Sequence, residues 1–383
     1  MKISLLGTDF NSGNRGCGAL GYAAVDIIKK MCEKSGDSLE LYAVLFAPEP
    51  VPQMDSDIQL HCIKIEPKKP GYWKKCAKIF RECDLILDFT GGDSFSDMYG
   101  LKRFCIASLL KEFAIKSPAK FVMAPQTIGP FQGRFARTWA KRIMRKCDMA
   151  FARDTMSQEY AQKTFGIKPF LTTDVAFSLP YDKQEESSKD KIKVGFNPSG
   201  LLWDGTKEFC ASKHITVEYK EYVNKVLDVL CKDDNYEVHL IPHVFSQDGV
   251  GMENDMRACM EIQKVFPKAV IERKFDTPME VKSCISTMDV FVGARMHATI
   301  AAVSTGVATI PFSYSRKFEG LYHDLGYEYI ISATCMETNE AIEKTLDWIK
   351  DYKKLEAKVE TAKQIADGKL TEYMKELERI VDK

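Results

Sequence analysis

The stretch "MDVFVGARMHATIAAVSTG", residues 288–306, divides into three parts by its apolar pattern. "MDVFVG" reads as a buried strand, and "ATIAAVSTG" reads as a helix closed by Gly306. Between them, in an otherwise small and apolar sequence, stand Arg295 and His297. The pair therefore falls at a strand-to-helix turn. In open α/β sheets such turns lie at the carboxyl ends of the strands, where helix amino termini and loop donors converge on ligands. The stretch thus predicts a parallel α/β fold and the place of a site within it.

The same alternation extends in both directions. Strands are predicted at "KISLLG", "LELYAVLF", "DLILDFTGG", "KFVMAPQT", "MAFAR" and "FLTTDVAF", with helices such as "GALGYAAVDIIKKMCEK" between them, as in a parallel sheet. Residues 181–190, "YDKQEESSKD", are charged and aperiodic and read as a linker. A second series follows: "KVGFNPSG", "YEVHLIPHV", "VFVGARMH", "ATIPFSYS" and "YIISAT". The expected organisation is two Rossmann-like domains with parallel sheets, residues 1–180 and 191–335, a cleft between them, and a helical segment over 336–383.

At 383 residues the chain is long for one core, and its composition, 45% hydrophobic and 28% charged, is that of a soluble globular protein. Formal charge is zero but unevenly spread: residues 1–180 are +7 and the remainder −7. The twelve cysteines show no CxxC pair and no zinc spacing, which favours a reduced, cytoplasmic setting. "MKISLLGTDF" meets Asp9 too early for a signal peptide, and no apolar run of about 18 residues is present, so any membrane contact is expected to be peripheral.

Several further turns are candidates for chemistry. "NSGNRGCGAL" packs glycines before a helix and permits close backbone approach to an anion. "FTGGDSFSDMYG" ends a strand and offers Asp93 and Asp97, as sugar-hydroxyl ligands or as helix caps. "FARD" places Arg153 and Asp154 at a strand end, the arginine suited to a carboxylate or phosphate and the aspartate to a helix cap. "IPHVFSQ" carries His243, either structural or functional, and "ENDM" carries Glu253 and Asp255. In "SYSRKFEGL", Arg316 and Lys317 follow a strand expected beside that of "GARMHA".

Taken in order, "GNRGCGAL", "GGDSFSD", "PQTIGPF", "ARD", "TTDVAFSL", "IPH…ND", "GARMHA" and "SYSRKFEGL" resemble the polysaccharide pyruvyl transferases, from about residue 7 to 326. The resemblance implies a fold similar to the glycosyltransferase-B architecture and transfer of pyruvate from phosphoenolpyruvate to a sugar as a ketal. It places the family's donor-binding arginine on Arg153, its Arg-x-His pair on Arg295 and His297, and its later lysine on Lys317. Where many members carry an acceptor-side aspartate in the glycine turn, this chain has Cys17. Asn14, Asp93, Asp97 and His243 are the expected acceptor contacts.

His297 is then the expected general acid, and the cations match the donor's carboxylate and phosphate. Phosphoenolpyruvate is a co-substrate, and no metal or cofactor is called for. The expected acceptor is a polyprenyl-diphosphate-linked sugar at the inner face of the cell membrane, with no nucleic-acid partner. For membrane contact the candidates are "KIEPKKPGYWKKCAKIFR", seven cations interleaved with Tyr72, Trp73, Ile79 and Phe80, and the face of Arg134, Arg137, Lys141 and Arg145. Two other readings stay open: a nucleotide-sugar glycosyltransferase of the same architecture, and a non-enzymatic sugar-phosphate-binding protein.

Overall fold

The computed structural model describes residues 1–45, 58–90, 94–183, 190–245, 253–272 and 275–381. It divides into two compact units, one of Met1–Ser12, Leu20–Ser178 and Ala366–Lys383, the other of Gly13–Ala19 and Leu179–Ile365. This departs from the sequence boundaries in two places. The glycine turn after the first strand groups with the second unit, and the last part of the carboxy-terminal helix groups with the first.

The first unit is built on β1 (Lys2–Leu6), β2 (Leu39–Leu45), β3 (Ile58–Lys64), β4 (Leu85–Asp88), β5 (Ser94–Phe95), β6 (Lys120–Ile128), β7 (Met149–Ala152) and β8 (Phe170–Leu171). Its helices are α1 (Arg15–Ser35), α2 (Tyr72–Glu82), α3 (Leu101–Ile115), α4 (Arg134–Lys146) and α5 (Thr155–Phe165). All pairings are parallel, in the order β3-β2-β1-β4-β6-β7-β8, with β5 on β6. The chain winds outward one way from β1 and the other way from β4. Between those two strands lies the topological switch point at which such sheets hold ligands.

The second unit repeats the plan with β9 (Ile192–Asn197), β10 (Tyr236–Leu240), β11 (Val270–Ile271), β12 (Val290–Gly293), β13 (Ala308–Ser313) and β14 (Ile331–Ser332). Its helices run from α6 (Gly200–Trp203), α7 (Lys207–Ser212) and α8 (Tyr219–Lys232) through α9 (Asp255–Val265), α10 (Pro278–Ile285), α11 (Met296–Thr305) and α12 (Arg316–His323) to α13 (Thr338–Lys350) and α14 (Tyr352–Val381). Strand order is β11-β10-β9-β12-β13-β14, with the switch point between β9 and β12.

β12 is buried on both faces, as its unbroken apolar run predicts. Val290 and Val292 join one core, with Phe196, Leu240 and Ile310, while Phe291 joins another, with Ile285, Ala298 and Ala302. Gly306 ends α11 in the left-handed region, at φ 86°. Asp154 caps α5 by accepting from the Ser157 N–H.

Two expectations are corrected. "FLTTDVAF" is a strand only over Phe170–Leu171, because the Asp174 carboxylate accepts from the Ala176 N–H at 2.9 Å and turns the chain into a 3₁₀ segment. In α2, Tyr72, Cys76, Ile79 and Phe80 face inward as a helical stripe, and Trp73 stacks on Phe113 and donates to the Pro67 carbonyl. The cations between Lys64 and Arg81 therefore do not share their surface with exposed aromatics.

One buried charge pair stiffens the first unit. Lys111 of α3 and Asp88 at the end of β4 are both nearly inaccessible and pair at 2.9 Å. Asp88→Asn leaves the ammonium without its counter-charge and is expected to destabilise the protein by about 3–5 kcal/mol, whereas Lys111→Met with Asp88→Asn is expected to be far milder. Urea unfolding of the variants measures this, and equal losses in the two would contradict the pairing argument.

Candidate functional site

The switch point of the second sheet carries a buried polar cluster. β9 ends in Asn197 and β12 runs into Ala294 and Arg295, so these residues sit side by side. Asn197 donates to the Ile241 carbonyl at 2.8 Å and accepts from the Arg295 N–H at 3.0 Å. The amide thus joins the ends of three neighbouring strands.

Asp255, the first residue of α9, is fully buried. Its carboxylate accepts from the backbone N–H groups of Gly200 (2.8 Å), Val244 (2.9 Å) and His243 (3.2 Å), and from Arg295 Nη2 (2.8 Å) and Nε (3.2 Å). Burial alone would lower the Arg295 pKa, yet the charge of Asp255, with Tyr314 and Glu253, leaves it raised. Arg295 is therefore a permanent, fixed cation.

The turn after β1 completes the cluster. Asn14 bridges Val244, Phe245 N–H donates to the Gly13 carbonyl at 2.8 Å, and Arg15 N–H donates to the His243 carbonyl at 3.1 Å. Both glycines are needed for this approach. A Cβ on Gly13 would lie 2.0 Å from the Phe245 carbonyl oxygen, and one on Gly16 would lie 2.4 Å from His297 Nδ1. The Arg15 side chain is buried, donates to the Phe275 carbonyl at 2.6 Å and lies 5.2 Å from the centre of the Phe245 ring.

His243 is buried, and its imidazole is pushed well below the ordinary histidine range, first by burial and then by the nearby charges of His297, Arg295 and Arg15. It is neutral at neutral pH. His297, in the first turn of α11, is only partly buried. Lys317 stands in the first turn of α12, which follows β13, the strand hydrogen-bonded beside β12.

The second unit thus gathers Arg295, His297, His243 and Asn14, with Lys317 on the helix that follows the adjoining strand. Arg15, central to the cluster, is not among the residues singled out in the sequence; its place inside the glycine turn, beside Asn14, was the signal. The other expected residues belong to the first unit. Arg153 is buried and pairs with Asp174 at 2.9 Å. Asp97 accepts from the N–H groups of Gln132 (2.9 Å) and Gly133 (2.8 Å), which open α4. Asp93 lies outside the described residues.

The switch point of the first sheet is shaped differently. A small surface pocket opens there, lined by residues that include Leu6, Asp88, Thr90, Ser96, Tyr99 and Arg103. Thr90 is held in the left-handed region at φ 49°, its hydroxyl donating to Asp88 at 2.8 Å. Backbone strain of this kind costs about 1–3 kcal/mol and persists only where the surrounding structure holds it.

Solved structures with the same architecture define the class. HepE of Anabaena in complex with UDP-glucose is 13% identical, covers 96% of this chain and 95% of its own, and superimposes with a TM-score of 0.55. A putative UDP-N-acetylglucosamine 2-epimerase from Listeria monocytogenes is 12% identical, with 96% and 92% covered and a TM-score of 0.59. Trehalose-6-phosphate synthase OtsA is 6% identical, with 100% and 99% covered and a TM-score of 0.60. The fold is of the glycosyltransferase-B type. Within that class, the family model for polysaccharide pyruvyl transferase matches residues 14–316, and the chain belongs to that family.

Two outcomes test the cluster without an activity assay. Gly16→Ala is expected to displace the His297 ring and shift its imidazole resonances in nuclear magnetic resonance spectra while the fold persists; unchanged resonances would contradict the contact. His243, with a folded pKa below its unfolded value, binds protons more readily when unfolded. Stability is therefore expected to fall as pH drops through about 6.5 toward the depressed value, and to be flat above it. His243→Gln should reduce that slope in pH-dependent denaturation, and an identical slope would remove His243 as its source.

Proposed function

We propose that the protein transfers pyruvate from phosphoenolpyruvate to a sugar as a cyclic ketal, with His297 as general acid. The observation that carries this reading is the pairing of a charge-fixed arginine with a partly accessible histidine two residues on, in the turn from β12 to α11. A donor bearing a carboxylate and a phosphate matches the cations Arg15, Arg295 and Lys317.

The chemistry follows from the donor. The His297 imidazolium gives its proton to the methylene carbon of phosphoenolpyruvate, leaving a cationic central carbon. One sugar hydroxyl attacks that carbon and releases its proton, which restores the imidazolium. A second hydroxyl of the same sugar then displaces phosphate, which leaves with the second hydroxyl proton. Lys317 and Arg295 stabilise the anionic groups throughout.

The acceptor-side reading assigns the sugar to the first unit, where the pocket beside Thr90 offers hydroxyl and carboxylate partners together with the Tyr99 ring. Asn14 and His243 stay with the second unit's cluster. The sugar we favour is linked to a polyprenyl diphosphate. No helix among the described residues is long and apolar enough to cross a membrane.

Arg153→Ala and Arg295→Ala are poor probes of donor binding, because each strands a buried carboxylate, Asp174 or Asp255. The informative variants are His297→Gln and Lys317→Ala. The first is expected to lower turnover by about 10²- to 10⁴-fold with an unchanged melting temperature. The second is expected to raise KM for phosphoenolpyruvate by about 10- to 150-fold. A wild-type thermal shift with phosphoenolpyruvate but not with UDP-sugars supports the reading, and the reverse would favour a nucleotide-sugar enzyme.

A further inference from the structure

The Asp97 carboxylate ties the loop before α3 to the start of α4 through the Gln132 and Gly133 N–H groups. That clamp brings the loop's apolar side chains toward the first turn of α4. Met98, Tyr99, Leu101 and Phe135 are 50%, 45%, 55% and 59% exposed, although side chains of this kind are normally withdrawn from water. Elsewhere among the described residues of the first unit the large apolar side chains left exposed are Leu109 and the adjacent Phe170 and Leu171.

The surroundings of this patch are basic. Lys102 and Arg103 stand in the first turn of α3, Arg134 and Arg137 in that of α4, and neither turn contains an acid. Cations at a helix amino terminus oppose the helix dipole, so they are not placed for helix stability. From Leu101 to Ala150 the chain carries eleven Lys and Arg against two acids, Glu112 and Asp148. Tyr99 and Arg103, stacked with 5.3 Å between guanidinium and ring centre, belong both to this patch and to the wall of the first unit's pocket.

We propose that Met98, Tyr99, Leu101 and Phe135, ringed by the cations of α3 and α4, form a docking surface for an anionic lipid bilayer at the mouth of the pocket. Apolar side chains enter the acyl boundary while the neighbouring cations meet the anionic headgroups. The surface stands on its own geometry; only its purpose, bringing the pocket to a lipid-borne acceptor, rests on the function proposed above. It replaces the α2 segment, whose aromatics are turned inward.

The test is co-sedimentation of the full chain, at low salt, with phosphatidylcholine vesicles that either contain or lack phosphatidylglycerol. Wild type is expected to bind the anionic vesicles alone. Leu101→Ser with Phe135→Ser should weaken that binding by tenfold or more, and Lys102→Glu with Arg134→Glu by a similar factor, each with an unchanged melting temperature because all four side chains are exposed. Lys68→Glu with Lys69→Glu should have the smaller effect. The proposal is overturned if wild type ignores anionic vesicles, or if only the Lys68 and Lys69 changes release it. It is equally overturned if the patch substitutions abolish a lipid-free dimer and leave vesicle binding intact, which would assign the surface to a second copy. Phosphoenolpyruvate binding by thermal shift, measured in parallel, reports on the second unit separately, so either idea fails without the other.

Discussion

The Asp255 carboxylate is the constraint from which the second unit's site follows. A buried, ionised carboxylate is tolerated only when it is fully hydrogen-bonded and matched by charge. Asp255 meets that demand with the Arg295 guanidinium and the backbone N–H groups of Gly200, His243 and Val244. Those partners come from the segment after β9, the segment after β10 and the turn after β12. A single side chain therefore holds three strand ends in register, and the glycine turn docks on the same frame through the His243 carbonyl.

This arrangement divides the labour among the cluster's cations. One edge of Arg295, its Nε and Nη2, is occupied by Asp255, so it acts as an oriented charge with little freedom to follow a ligand. His243, neutral because it is buried beside other positive groups, adds shape and hydrogen-bonding capacity without charge. His297 and Lys317 stand on the first turns of α11 and α12, more accessible than the frame beneath them. The inner groups fix the geometry of the turn, and His297 and Lys317 are left partly exposed above it.

Much of this was legible in the sequence because apolar periodicity survives without context. β12, α11 and the turn between them were readable from one stretch, and Gly306 and Asp154 took the capping roles their residue types predict. What escaped depended on tertiary partners. β5 and β11 are only two residues long, too short for any period, and β3 is an edge strand with a mixed pattern. The aromatics of α2 were misjudged because counting cations beside rings ignores which helical face each occupies; Tyr72, Cys76, Ile79 and Phe80 are spaced to share one face, and it is the inner one. Arg153 and Asp97 were identified as chemistry-bearing, and they do carry strong interactions, but with Asp174 and with the backbone at the start of α4.

The two sheets share one topology and resolve their switch points in opposite ways. In the second unit the strand ends are closed by the hydrogen-bonded cluster around Asp255. In the first the corresponding place is a small pocket lined in part by Asp88, whose buried carboxylate pairs with Lys111. That pairing matters for the chain's charge asymmetry, because Lys111 is one cation of the basic stretch that is committed to the interior. The remaining cations of α3 and α4 have no comparable number of acids nearby in sequence, and Glu112 is itself bound to Arg142 and Trp139. A surplus of this kind repels itself unless something negative lies against it. Its position beside exposed Leu101 and Phe135, at the rim of the pocket, makes an extended anionic and apolar surface a better match than a small soluble anion, which would have no use for the apolar half.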